Sequence, residues 1–188
     1  MLDKLLKIDN EWFTAINNGM ANDWFDVLMP VLRNQYTWIP LYVFTAFWLL
    51  YKYKLQGFWF IAFTLVTFFL SDQISASLIK PFIERLRPCR EPMLAEQVRL
   101  LVHCGSGFSF PSSHATNHFG FAIIVGVSLY NDIKWPMYSL LAIATLVSFA
   151  QVYVGVHYPI DVLAGALLGS IIAAFVFLIG CKIKKQTQ

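Results

Sequence analysis

The chain has 188 residues, 57% hydrophobic and 13% charged, with a formal net charge of +3, whereas soluble domains carry about 25% charged residues. That composition excludes an ordinary soluble globule, and so small a charge, with no long basic run, excludes a nucleic-acid-binding module. Three cysteines fit no zinc framework, and a 16% aromatic content suits rings that anchor helices at the two bilayer interfaces.

Residues 1–35 intersperse Asp3, Lys4, Lys7, Asp9, Glu11, Asp23, Asp26 and Arg33 with Leu2, Leu5, Leu6, Ile8, Trp12, Phe13 and Ile16. Such a pattern does not cross a bilayer and has no cleavable signal character; it predicts an amphipathic helix lying at the membrane surface. Apolar runs follow at 37–51, 57–79, 114–130, 135–155 and 159–181. The expected fold is therefore all-α, a polytopic membrane bundle of about five transmembrane helices over 36–188, preceded by the interfacial segment 1–35. Pro40 leaves the first span room for a tilted or broken entry. Short inner segments bearing Lys52, Lys54, Lys134, Lys182, Lys184 and Lys185, with Asp132 their one clear acidic residue, favour an N-terminus outside the cytoplasm.

Polar groups in such a chain are costly, so their placement is informative. Lys80 and Arg87 follow the second span, Ser112, Ser113 and His114 open the third, Gln151 closes the fourth, and His157 and Asp161 open the fifth. Because successive spans alternate direction, these positions all fall on one face. Two of the converging elements are helix N-termini, which favour an anion, and Lys80 and Arg87 add positive charge. Ser112 is placed as the N-cap of the third span and Pro159 in the first turn of the fifth. A histidine four residues from a carboxylate, His157 and Asp161, has the spacing that fixes an imidazole tautomer for nucleophilic or base work, leaving His114 to act as acid.

Those residues resemble the type-2 phosphatidic acid phosphatase family, which shares its active site with bacterial acid phosphatases and vanadium haloperoxidases. The family's three motifs match Lys80 to Arg87-Pro88, Pro111-Ser-Ser-His114, and Gln151 through His157 to Asp161, in order and spacing. The resemblance covers roughly residues 70–170. It implies a membrane lipid phosphatase in which His157 attacks phosphorus, Asp161 holds His157, and His114 protonates the leaving group and then activates water. Lys80, Arg87, Ser112, Ser113 and Gln151 would bind the phosphate. No metal or other cofactor is implied. The expected partners are a lipid phosphate monoester or polyprenyl diphosphate and the bilayer itself, in a cell inner membrane with the site on the extracytoplasmic face; no oligomeric state is indicated.

The chain departs from the family pattern twice. Ser113 stands where the family has Gly, and Gln151 where it has Arg, which removes a charge and a bidentate fork. The second departure keeps open an alternative, a phosphate-lipid binder or carrier with impaired catalysis. Other expectations are weaker in consequence. Arg85, Arg90 and Arg99 read as solvated loop residues or collectors of anionic headgroups, His103 as a loop residue, and His118 as a residue that supports the site from behind or simply packs, rather than a metal ligand paired with His114. Asp72, with Ser71, Gln73, Ser75 and Ser77, either supports the site or lines the bundle. Gly165 and Gly169, with Ala164 and Ala173, form a small-residue face for close helix packing. Cys89 and Cys104 share one loop while Cys181 lies at the far end of the fifth span, so a Cys89–Cys104 bridge and a pair of free thiols are both compatible with the sequence.

Overall fold

The computed structural model describes residues 2–186, with side chains from Asp3 to Lys182, and its regular elements are helices. Two N-terminal helices, α1 (Leu2–Asn17) and α2 (Asp23–Arg33), lead through a 3-10 turn (Gln35–Trp38) into α3 (Ile39–Tyr53). α4 (Leu55–Asp72) continues without a break through a π-helical stretch (Gln73–Ile79) into the short α5 (Lys80–Ile83), which Glu84 ends in a left-handed conformation. A long loop containing a 3-10 turn (Pro88–Arg90) then leads to α6 (Ser113–Leu129), α7 (Trp135–Tyr153) and α8 (Pro159–Gln186). Ser112 is the N-cap of α6, its Oγ accepting the Ala115 N–H at 3.4 Å, and Pro159 is the first residue of α8, both as expected.

Among the described residues, three helical stretches are long and apolar enough to cross a membrane: Leu55–Arg90, Trp135–Tyr153 and Pro159–Lys182. α3, with 15 residues, and α6, with 17, fall short of the roughly 20 that a span needs. The outer surface is inverted relative to a soluble protein. On α8, Leu163, Leu167, Ile171, Phe175 and Leu178 form one helical stripe, each between 57% and 64% exposed. Val43, Phe44 and Phe47 of α3 and Leu65, Val66 and Phe69 of α4 are likewise exposed. An apolar belt of this extent is stable only against hydrocarbon, and the protein is an integral membrane protein.

α6 is the central helix, packed by α8, α7 and α4. Phe121, Ile124, Val125 and Leu129 form its core contacts with Leu49, Leu140, Ile172 and Val176. The small-residue face of α8 has the expected purpose: a Cβ at Gly169 would lie 2.0 Å from the Thr116 carbonyl oxygen, and one at Gly165 2.5 Å from that of Ser112. The α6 and α8 backbones therefore touch beside the helix ends that carry His114 and Asp161.

α1 and α2 pack onto the same end of the bundle. α1 buries Asp9, Phe13 and Asn17 while exposing Leu5, Leu6 and Trp12. Asn17 donates from Nδ2 to the carbonyls of Arg99, at 2.9 Å, and Tyr153, at 2.7 Å. α2 docks on α7 through Met29 and Phe25, and Tyr153 donates to Asp26 at 2.6 Å. Its opposite face exposes Trp24, Val27, Leu28 and Val31 at helical spacing. Cys89 and Cys104 are joined by a disulfide with Cα atoms 6.2 Å apart, and Cys181 is free and exposed.

Candidate active site

The alternation of helix direction brings the polar residues together at one end, as the sequence implies, and the loop joining α7 to α8 sets the geometry. Gly155, at φ +87°, turns this loop back, and the Gln151 carbonyl accepts the N–H groups of both Val156 and His157 at 3.3 Å. His157 is thereby folded under the end of α7, 2% exposed, facing Asp161 in the first turn of α8. Its Nδ1 lies 3.4 Å from Asp161 Oδ2 and 3.4 Å from Ser109 Oγ. A ring nitrogen facing a carboxylate carries the proton, so Nε2 holds the lone pair, and Nε2 lies 3.5 Å from Arg87 Nη1.

Asp161 is fully buried and held from four sides. It accepts from Ser109 Oγ, from the Tyr158 N–H at 2.9 Å, from Arg85 Nη1 at 2.7 Å, and faces His157. Arg85 also donates from Nη2 to Asp9 at 2.6 Å, and its guanidinium lies 3.9 Å from the centre of the Tyr158 ring. Asp9 accepts a further bond from the Ile160 N–H at 2.9 Å, across 151 residues of sequence. α1 is thus tied to the start of α8 by a buried carboxylate, guanidinium, carboxylate chain.

The phosphate-binding candidates divide. Arg87 is held in place by bonds from Nε to the Gly107 carbonyl at 2.9 Å and from Nη1 to that of Val156 at 3.3 Å, beside His157. Ser113 accepts from Ser75 at 3.0 Å, so the polar second span does reach the site. Ser112 is buried, its hydroxyl occupied by the helix cap. His114 is half-buried and lines two cavities: one of about 350 Å³ with Pro30, Arg33, Asn34, Gln35, Tyr36 and Val102, and one of about 250 Å³ that includes Asp72 and Asn117. Lys80 closes the π-helical stretch, and the charges of Arg87, Asp161 and Asp72 act on it. Gln151 is fully buried, and neither its Nε2 nor its Oε1 has a partner.

Several loop readings need correction. Arg85 and Arg99 are engaged within the protein, Arg85 as above and Arg99 with Asp26 and the Asn17 carbonyl, whereas Arg90 is exposed, as a solvated loop residue would be, with one bond to the Ser106 carbonyl at 2.6 Å. His118 has the packing role expected of it, its Nδ1 3.2 Å from the Tyr42 hydroxyl and its ring edge-on to Trp38. Sequence reasoning missed Ser109 and Asp9. Asp9 did carry a signal, because it shares the apolar face of α1 with Phe13 and Ile16, four and seven residues on, where a lone carboxylate requires a buried partner.

His157 lies outside the spans, in the α7–α8 loop. Burial pushes its pKa down to about 4, against the opposing pull of the Asp161 carboxylate. A depressed value on a base means that the neutral form persists down to that pH. If the neutral ring is the attacking group, the acid limb of kcat/KM is expected near pH 4 rather than near the ordinary 6.5. A pH profile on soluble substrate tests this, and an acid limb centred above pH 6 would contradict it.

A sequence profile of the PAP2 superfamily matches residues 59–184. The lipid A 4'-phosphatase of Bacteroides thetaiotaomicron is 30% identical over 192 residues, covering 100% of this chain and 84% of that protein. The undecaprenyl-diphosphatase of Sulfolobus acidocaldarius is 32% identical over 167 residues, 89% of this chain and 72% of that one. The crystal structure of a transmembrane PAP2 type phosphatidylglycerolphosphate phosphatase from Bacillus subtilis superposes with a TM-score of 0.77 at 25% identity, covering 96% of this chain and 88% of that chain.

Proposed function

The chain belongs to the PAP2 superfamily, and from that premise we propose that it is a membrane lipid phosphatase acting through a phosphohistidine on His157. One observation carries the reading: the buried pair Asp161 and His157 presents a tautomer-fixed Nε2 3.5 Å from the Arg87 guanidinium. The Nε2 lone pair attacks phosphorus as the bond to the lipid oxygen breaks, and His114 gives that oxygen its proton. Water then loses a proton to His114 as it attacks phosphorus, the P–N bond breaks, and inorganic phosphate leaves. Asp161 keeps the Nδ1 proton in place throughout and stabilises the cationic ring of the intermediate. Lys80, Arg87 and the backbone amides at the start of α6 meet the charge on the phosphoryl oxygens.

The substrate class we favour is a phosphomonoester on a lipid A type headgroup. Similarity to a lipid A 4'-phosphatase over the whole of this chain supports it, as does the lining of the His114 cavity by Asn34, Gln35 and Tyr36, which suits a sugar. Phosphate release from purified protein is the test, with lipid A bearing a 4'-phosphate, phosphatidylglycerol phosphate and undecaprenyl diphosphate compared. The lipid A substrate is expected to lead by at least tenfold in kcat/KM. A lead by the diphosphate would overturn the choice, and binding without turnover of any of the three would restore the carrier reading.

The proposal includes a metal-free reaction. EDTA is expected to leave the rate unchanged, and orthovanadate to inhibit by adopting the five-coordinate geometry of the transition state. Loss in EDTA that a divalent cation restores would contradict this.

We place α3, α4, α6, α7 and α8 across an inner membrane as five spans, with α1 and α2 at its extracytoplasmic surface. The Cys89–Cys104 disulfide supports that side for the site, since such bonds persist in oxidising compartments. In membranes isolated without reductant, a thiol-reactive mass tag is expected to label Cys181 alone. Equal labelling of Cys89 and Cys104 would count against the outside placement. Closing a loop of this length stabilises a fold by about 3 kcal/mol in the chain-entropy model.

A further inference from the structure

Gln151 carries no charge at the position where the family motif has an arginine. The protein has five arginines, and four are hydrogen-bonded within it: Arg85, Arg87, Arg90 and Arg99. Arg33 is the exception. Among the described residues it donates no hydrogen bond and pairs with no carboxylate, and its Nε is buried without a partner. It lines the cavity of about 350 Å³ together with His114. Its charge acts on both His114 and Arg87 more strongly than any other charge does. A guanidinium held among like charges, with a buried donor unused, is arranged for an anion that binds between them.

Its position is built rather than incidental. Arg33 is the last residue of α2, and the end of that helix is fixed by the Trp38 indole and Thr37 hydroxyl, which donate to the carbonyls of Leu32 and Val31 at 2.7 Å. α2 is itself clamped to Tyr153, two residues beyond Gln151, through Asp26 and the Asn22 backbone. The helix that carries Arg33 is therefore seated on the helix end that carries Gln151. Gln151 meanwhile is an uncharged, unpartnered amide where the matching motif places an arginine.

We propose that Arg33, delivered by α2, binds the substrate phosphate and supplies the positive charge that Gln151 lacks. The inference rests on the phosphatase reading above. It makes α2 part of the substrate site, so that a segment outside the superfamily match of 59–184 contributes a phosphate ligand. The same ring of cations takes a free phosphate or a lipid phosphomonoester, because both present the same dianionic group.

Orthovanadate binding to the purified full-length protein, measured by calorimetry, tests this without relying on turnover. Arg33→Gln is expected to weaken binding by about 10- to 100-fold, as loss of a charge-assisted contact does. Arg33→Lys should lose less. Gln151→Arg is expected to restore binding in the Arg33→Gln protein while adding little to the parent, because one charge serves one role. Binding by Arg33→Gln within about twofold of the parent would overturn the proposal, as would a Gln151→Arg gain equal in both backgrounds, the signature of independent sites. A parent that binds no vanadate would sink the phosphatase reading and this inference together, which separates the two failures. A second measurement needs no variant: phenylglyoxal is expected to modify Arg33 in the parent, with saturating vanadate protecting it. Modification of Arg33 at an unchanged rate in vanadate would also overturn the proposal.

Discussion

Replacing His157 with alanine is expected to lower phosphate release by roughly 10⁴-fold or more, equivalent to about 5.5 kcal/mol at 1.36 kcal/mol per tenfold. The effect is large because, on the proposed mechanism, His157 is the attacking group. Ser109, the nearest hydroxyl, is committed to Asp161. The fold should survive, since Asp161 keeps Arg85, Ser109 and the Tyr158 N–H when the imidazole is gone. Loss of turnover with an unfolding temperature near that of the parent is the expected pair of observations. Activity of the purified variant within tenfold of the parent would end the assignment of His157.

Arg85→Ala is expected to produce the largest loss of stability of any single exchange at the site. The guanidinium neutralises two carboxylates, Asp9 and Asp161, whose side chains are both 0% exposed. Removing it leaves two buried charges facing each other, and breaking a buried pair in this way costs about 3–5 kcal/mol. Part of that loss should return in the Arg85→Ala, Asp9→Asn double variant, because one of the stranded charges is then absent. Turnover is expected to fall as well, by about 10²-fold, through misplacement of Asp161 behind His157. Denaturant unfolding in detergent checks the first expectation and kcat the second. An Arg85→Ala protein as stable as the parent would show that the chain from Asp9 to Asp161 contributes nothing to folding.

The contrast between these residues shows what a sequence discloses. The placement of His114, His157, Asp161, Lys80 and Arg87 was legible because each lies at a helix end or in the loop beside one and the alternation of helix direction requires those ends to share a face. The cap at Ser112, the start of α8 at Pro159 and the glycine contact between α6 and α8 were legible for a related reason, since each depends on neighbours within a turn or on one helix stripe. Arg85, Asp9 and Ser109 were not, because their partners are 76, 151 and 52 residues away and nothing local specifies the pairing. Arg33 escaped for the opposite reason: among the described residues it has no hydrogen-bond partner, and a lone cation near the end of an amphipathic helix reads as interfacial until the docking of α2 on α7 is known. The apolar runs at 37–51 and 114–130 have the same lengths as α3 and α6, which begin two residues later and one residue earlier, because hydropathy reports an apolar stretch and not the residue at which the helix starts.

Covalent catalysis by His157 requires a phosphohistidine intermediate that can be trapped. Purified protein is mixed with phosphorus-labelled lipid substrate, quenched in alkali within the first turnover, digested and mapped by mass spectrometry, since a phosphohistidine survives base. One labelled peptide is expected, spanning the α7–α8 loop, with the phosphoryl group on His157 and label that disappears on the timescale of turnover. Label on His114, or steady turnover with no phosphorylated histidine at any quench time, would contradict it.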